Sequence, residues 1–412
     1  MNILYIAYSC DPFNGSEDQI GWNIPFINSQ DSENKIWVIT KQEQKKNIDR
    51  YLKENKIIRS NLQFYYVDIP KSYKRFFLGF LYSGRLNIWH RRALKIAKGI
   101  CRCNKIDIIH QLTPIEFRAI GKYYKIQNTK YIVGPIGGGI STPKSLKSYA
   151  KSKIGIEVIR EILNRLYSKK NKLLKIEKKC DYILYSNYET SSFFENNKKD
   201  VYTEIGISKE NIIERKSIEN KTTDKTVFLV IGRLIYWKGH EFLLDAIEKI
   251  PEKYEYKVKI IGDGSEKKSI EQIIKNSDNL KKHVELCGQV QYKEMKNEYD
   301  TGNVLVLPSI RENTGTVILE ALSRGIPVIA YNGFGAKVIL DEKCGYLYYG
   351  KNKEEVIHDL SKKMIECIEN QNILKMKSIN AIEKARQNTW EVKCKKYNKI
   401  YNELLNYEEK WR

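Results

Sequence analysis

Two carboxylates and two cations carry the chemistry that this chain offers. Glu312 and Glu320 stand with seven residues between them in the stretch VLVLPSIRENTGTVILEALSRG, residues 304–325. An ionised carboxylate only accepts hydrogen bonds and can take two hydroxyl donors at once, so two of them suit a ligand rich in hydroxyls. The neighbours of Glu320 from 317 to 322 are apolar. A helix that greasy on every side is largely buried, and a buried carboxylate needs a partner. The alternative is a Glu on a solvated face. Arg233 and Lys238 flank a second loop, GRLIYWKG at 232–239. A guanidinium fork and a point-charge ammonium can converge on one anion, although surface cations are common and by themselves read as solvated.

The elements that must hold these groups are legible around them. Val304–Leu307 is a short apolar run of the kind a buried parallel strand needs. Pro308 ends it, a polar loop follows at 309–314, and a helix starts near Gly315. Gly325 falls at the helix stop, with Pro327 beyond. Ligands of open α/β sheets sit beyond the carboxyl ends of the strands, where Glu312 lies. The amides of Asn313, Thr314, Gly315 and Thr316 open the helix toward anything anionic there. Carboxylate, amide-rich turn and second carboxylate suit a sugar joined through phosphates to a ribose.

On these residues the segment resembles the E-x7-E motif of the retaining glycosyltransferases of family 4 (glycosyl transferases group 1), with Asn313-Thr314-Gly315 where that family more often has Gly-Phe-Gly. The resemblance implies that Glu312 holds donor-sugar hydroxyls and Glu320 the ribose. The stretch 231–240 is similar to the family's G-R-x(3–4)-K-G segment, which implies Gly232, Arg233 and Lys238 on the donor diphosphate. It also implies a GT-B fold: two Rossmann-like doubly wound parallel-sheet domains of an α/β protein facing a cleft. The expected division is 1–205 on the acceptor side, 206–389 as the nucleotide-sugar domain, and a helix from Trp390 (390–412) crossing back to the first domain. Gly262 and the backbone of Gly288–Val290 are expected at the nucleotide, and Gly15 in a first glycine loop facing the cleft.

The remaining chain is consistent with that frame. Runs at 3–8, 36–40, 63–67, 107–111 and 130–134 alternate with helical patterns, the rhythm of a parallel sheet. His110, in the run from Asp107, is by itself equally a structural or a cleft residue; the resemblance implies a position beside the donor sugar. Three consecutive glycines, Gly137, Gly138 and Gly139, mark a close backbone approach and resemble acceptor-side loops of related transferases. Neither a dinucleotide fingerprint nor a P-loop occurs. No D-x-D pair is found, so no metal and no cofactor is expected: Arg233, Lys238 and helix-end amides would stabilise the leaving diphosphate of a UDP- or GDP-linked donor.

Length and charge bound the partners. At 412 residues the chain is long enough for two domains. Its formal net charge is +22, of which +19 lies in residues 71–105 and 143–180. In 71–105 the cations mix with Phe76, Phe77, Phe80, Leu81, Tyr82, Leu86, Ile88 and Trp89; in 143–180 Ile154, Ile156, Val158, Ile159, Ile162, Leu163 and Leu166 are expected to be buried. Aromatics among cations suit an anionic membrane surface and also nucleic acid. The eight scattered cysteines read as reduced thiols, and no secretory or membrane-spanning run is found. The reading is a cytoplasmic enzyme attached peripherally to the inner membrane face, transferring a sugar to a lipid-linked or polysaccharide acceptor for capsule or O-antigen. A sugar-nucleotide epimerase of the same fold and a basic nucleic-acid-binding protein are the rivals; nucleic acid is not expected, since it leaves both glutamates without a purpose.

Overall fold

The computed structural model describes residues 1–69, 82–195, 200–214, 225–291 and 294–409. Phe76, Phe77, Phe80 and Leu81, and most of the expected linker at 208–225, lie outside the described residues. The chain forms two units: Met1–Gly139, Arg160–Gly206 and Trp390–Arg412 in the first, Ile140–Ile159 and Ile207–Thr389 in the second.

The first unit holds a parallel sheet of seven strands in the order β3-β2-β1-β4-β5-β6-β7. They are β1 (Asn2–Ala7), β2 (Lys35–Lys41), β3 (Leu62–Val67), β4 (Ile108–Thr113), β5 (Lys130–Ile136), β6 (Tyr182–Tyr185) and β7 (Asp200–Val201). The second unit repeats the plan with six, β10-β9-β8-β11-β12-β13: β8 (Thr226–Ile231), β9 (Tyr256–Ile261), β10 (Val284–Gly288), β11 (Val304–Leu307), β12 (Val328–Tyr331) and β13 (Gly345–Tyr348). Each order reverses once, between β1 and β4 and between β8 and β11. Each sheet is doubly wound, as the alternation of strands and helices implies, and two such sheets are what the GT-B resemblance implies. β13 was not expected, because Gly345-Tyr-Leu-Tyr is too short a run to stand out.

Three expectations about packing change. The segment Ile140–Ile159 belongs to the second unit, because Ile140, Leu146 and Tyr149 join its core. The helix Tyr82–Cys103 buries Leu86, Trp89, Ala93, Ala97 and Ile100 in the first unit, so its cations cover an ordinary packed helix. The apolar residues expected to be buried in the helix Ile154–Leu173 are instead exposed at Ile154, Ile156, Val158, Ile159, Ile162 and Leu166.

The helix Trp390–Glu409 packs on the first unit, with Trp390, Cys394, Tyr397 and Tyr401 buried. Its anchor is His110, which corrects the expected role of that residue. His110 lies inside β4, fully buried, at 0% exposure. Its Nε2 is 2.7 Å from the Gly134 carbonyl and its Nδ1 is 2.6 Å from the Tyr401 hydroxyl. A carbonyl only accepts, so Nε2 carries the proton and Tyr401 donates to Nδ1. Asn28 donates to Tyr5 at 2.6 Å, and Tyr5 meets Tyr401 at 3.4 Å. Burial pushes the imidazole down to about 4, against the Gly134 bond. Both nitrogens are used, and neither is left for a sugar. His110→Ala is expected to lower stability by about 2–4 kcal/mol in urea unfolding, with nucleoside diphosphate binding by the folded protein unchanged.

Candidate functional site

The site residues gather at the carboxyl ends of β8 and β11, the two strands on either side of the reversal in the second sheet. After β8 the chain turns at Gly232, passes Arg233, makes a single helical turn at Tyr236–Lys238 and enters the helix His240–Ile247 through Gly239. After β11 it runs through Ser309–Thr314 to Gly315, in the left-handed region at φ 76°, and the helix Thr316–Ser323. The loops are stitched together. The Ile310 amide donates to the Trp237 carbonyl at 3.0 Å. A Cβ at Gly239 would lie 2.1 Å from the Pro308 carbonyl oxygen, which is why no other residue fits there.

Across this seam the Lys238 ammonium forms an ion pair with the Glu312 carboxylate. Ser309 Oγ donates to the same carboxylate oxygen at 3.3 Å. Both partners are partly buried, so the pair is a charged group at the mouth of a strand pair and not a solvated surface contact. Arg233 is exposed, its guanidinium 5.9 Å from the Trp237 ring. Gly262, at the end of β9, abuts this loop: a Cβ there would lie 1.9 Å from the Gly232 carbonyl oxygen.

Glu320 sits apart from that pair. Tyr299 donates to its Oε2 at 2.7 Å, and burial pushes the carboxyl up against that bond. It lines a pocket with Lys296, Tyr299, Asn211 and Ser323. The structure therefore brings Lys238 and Glu312 into contact and keeps Arg233 on the same loop as Lys238, while Glu320 lines a pocket whose lining includes neither Lys238 nor Glu312. Thr314 is buried, Asn313 Nδ2 donates to its Oγ1 at 3.3 Å, and Thr316 opens the helix. Gly288 is in the left-handed region at φ 72° with open space around it, and Val290 follows.

Two expectations on the first unit are adjusted. Gly138 and Gly139 meet the chain's own groups, the Glu116 carboxylate and Phe193, and the Gly137 amide bonds the Ile115 carbonyl. These contacts account for the glycine run as internal packing. Gly15 is exposed with nothing around its Cβ position, so the backbone there does not demand glycine. Ser16 precedes the helix Glu17–Asn28 without a side-chain cap.

Two residues were missed. Glu157, fully buried at 0% exposure, is paired with Arg311 at 3.0 Å. It also accepts from Tyr236 at 2.7 Å and from Thr142 at 2.9 Å. One carboxylate thus holds a residue of each of the two loops, and the Arg311 guanidinium lies 5.3 Å from the Trp237 ring. No sequence pattern flags it, because its partners are 79 and 154 positions away. Glu17, at the β1–β4 reversal, accepts from the Ile115 amide at 3.2 Å. Burial pushes its carboxyl up to about 7. Among the described residues no cluster of three or more His, Cys, Asp or Glu could hold a metal ion.

Residues 211–387 match the family model for glycosyl transferases group 1. The matched residues lie within the second unit. An uncharacterized glycosyltransferase of Methanocaldococcus jannaschii is 27% identical over 316 residues, 76% of this chain and 80% of that protein. The alpha-monoglucosyldiacylglycerol synthase of Streptococcus pneumoniae is 25% identical over 67% of this chain and 61% of its own length. Three further relatives are matched over only 28–48% of their length. The crystal structure of Anabaena HepE in complex with UDP superposes with a TM-score of 0.63 at 15% identity, over 98% of this chain and 100% of that one. The fold is that of the GT-B glycosyltransferases, and the relatives matched in sequence are glycosyltransferases.

Two expected outcomes follow from the missed carboxylates. Glu157→Gln leaves Arg311 buried without its counter-charge and is expected to destabilise by about 3–5 kcal/mol; adding Arg311→Met should restore at least half of that in urea unfolding. For Glu17 the sign is set by linkage: between pH 4.5 and 7 the folded carboxyl keeps a proton that the unfolded chain has lost. Its contribution to stability therefore falls as pH rises through that window. Glu17→Gln should match the native chain near pH 4.5 and exceed it by about 1–3 kcal/mol at pH 8, read from urea midpoints.

Proposed function

We propose that the chain transfers a sugar from a nucleoside-diphosphate donor to a hydroxyl of a lipid-linked or polysaccharide glycan, with retention as in family 4 and without a metal ion. The observation that carries this reading is the Lys238–Glu312 pair seated where the strand order of the second sheet reverses. That position is where an open α/β sheet takes its ligand. A donor entering there meets an ammonium and the Arg233 guanidinium for its diphosphate, and a carboxylate for sugar hydroxyls. In a same-face transfer, the bond from the anomeric carbon to the diphosphate oxygen breaks while the acceptor oxygen bonds that carbon. The acceptor proton passes to the leaving diphosphate. Charges about 4 Å apart at an effective dielectric near 20 interact by about 4 kcal/mol each, enough for two cations to take the place of a metal.

The ribose is assigned to Glu320, whose Tyr299 partner would reorient to share the carboxylate, and the base to the backbone at Gly288–Val290. The likeness to HepE, solved with UDP, favours a uridine nucleotide. The likeness to a diacylglycerol glycosylating enzyme favours a lipid-linked acceptor, and with it cell-surface polysaccharide synthesis at the cytoplasmic membrane face. No helix among the described residues is long and apolar enough to cross a membrane, so attachment would be peripheral.

A thermal-shift screen with UDP and GDP, followed by turnover of the sugar nucleotides of the stabilising base, tests this reading. Lys238→Ala, Glu312→Gln, Arg233→Ala and Glu320→Gln are each expected to lose about 2–5 kcal/mol of transition-state or donor binding. Turnover at the native rate in all four would overturn the site. Release of an epimer without nucleoside diphosphate would assign the fold to epimerisation instead.

A further inference from the structure

The helix Ile154–Leu173 is amphipathic in the wrong sense for a soluble surface. The side facing the protein is polar: Glu157, Asn164, Ser168 and Asn171 are all buried. Ser168 donates to the Phe193 carbonyl at 3.0 Å and Asn171 to the Phe117 carbonyl at 3.2 Å, so this face is bonded in place. The opposite side is apolar. Ile162, Leu166 and Leu173, all in the first unit, fall within about 40° of arc at 100° per residue, with exposures of 51%, 55% and 83%. Exposed Arg165, Lys169, Lys170 and Lys172 flank them, and the helix carries no exposed acid, since Glu157 is buried and Glu161 half-buried.

We propose that this face is a docking surface for an anionic lipid bilayer, with the helix lying in the interface plane. The occupant is argued from charge. Long cationic side chains can bury their stems along an apolar stripe and lift their heads to phosphates, and an apolar stripe bordered only by cations matches an anionic headgroup layer. The surface deepens the proposed function, because a lipid-linked acceptor is reached from that layer. The helix Tyr82–Cys103 does not share this contact, because its apolar side is used up in the core.

The test is flotation of the full chain with vesicles of phosphatidylcholine, with and without phosphatidylglycerol, at low and high salt. Binding is expected to the anionic vesicles at low salt. Ile162→Glu/Leu166→Glu, both at exposed positions, should reduce it roughly tenfold or more with an unchanged urea midpoint and an unchanged UDP thermal shift. Lys95→Gln/Lys98→Gln, which lowers the net charge by the same amount, serves as the charge-matched control and should weaken flotation less. Absence of flotation by the native chain, or native flotation by the glutamate variant, would overturn the proposal. So would a native dimer that the same variant splits, since the face would then belong to a second copy. Failure of every donor to turn over, with flotation intact, would remove the glycosyl-transfer reading and leave the surface standing.

Discussion

The second unit depends on the contact between an ammonium that follows β8 and a carboxylate that follows β11. Lys238 and Glu312 are far apart in sequence, and they meet only because their strands are neighbours across the reversal of the sheet. The meeting also needs the loops to approach within bonding distance of one another. Gly239 permits that approach by lacking a side chain against Pro308, and the Ile310–Trp237 bond fixes it. Each cation in such a place needs an anion. A carboxylate supplies one within the chain, and a diphosphate supplies a stronger one.

Beneath the contact lies a second layer of charge. Glu157 arrives from Ile140–Ile159, a segment that joins the second unit although its sequence neighbours on both sides belong to the first. It ties Arg311 and Tyr236 from below, so that the loop ends are held by a buried ion pair as well as by backbone. The first unit has its own counterpart in His110, whose two nitrogens join β4 to β5 and to the terminal helix. A buried polar group in either unit therefore acts as a registration point that only one arrangement of the elements satisfies.

Much of this was legible in the sequence, for physical reasons. The doubly wound class follows from apolar runs alternating with helical patterns, and the strand–loop–helix around Glu312 follows from Pro308, Gly315 and Gly325. Arg233 and Lys238 stand on the loop that follows β8, the loop the resemblance points to. What it could not read was which side of a residue faces inward. His110 reads as lying near the end of the run 107–111, whereas β4 continues to Thr113 and encloses it. The isoleucines of 154–173 were taken for core, since apolar periodicity reports that a face exists and not whether the protein or its surroundings cover it. Glu157 gave no signal, as its partners come from distant loops.

Hydrogen–deuterium exchange of the whole chain with and without UDP tests the central claim most directly. The account predicts slowed exchange at the amides of 232–239 and 309–316, the two loops joined by Lys238 and Glu312. Protection confined to other segments, with these two loops exchanging as they do in the absence of nucleotide, would contradict it.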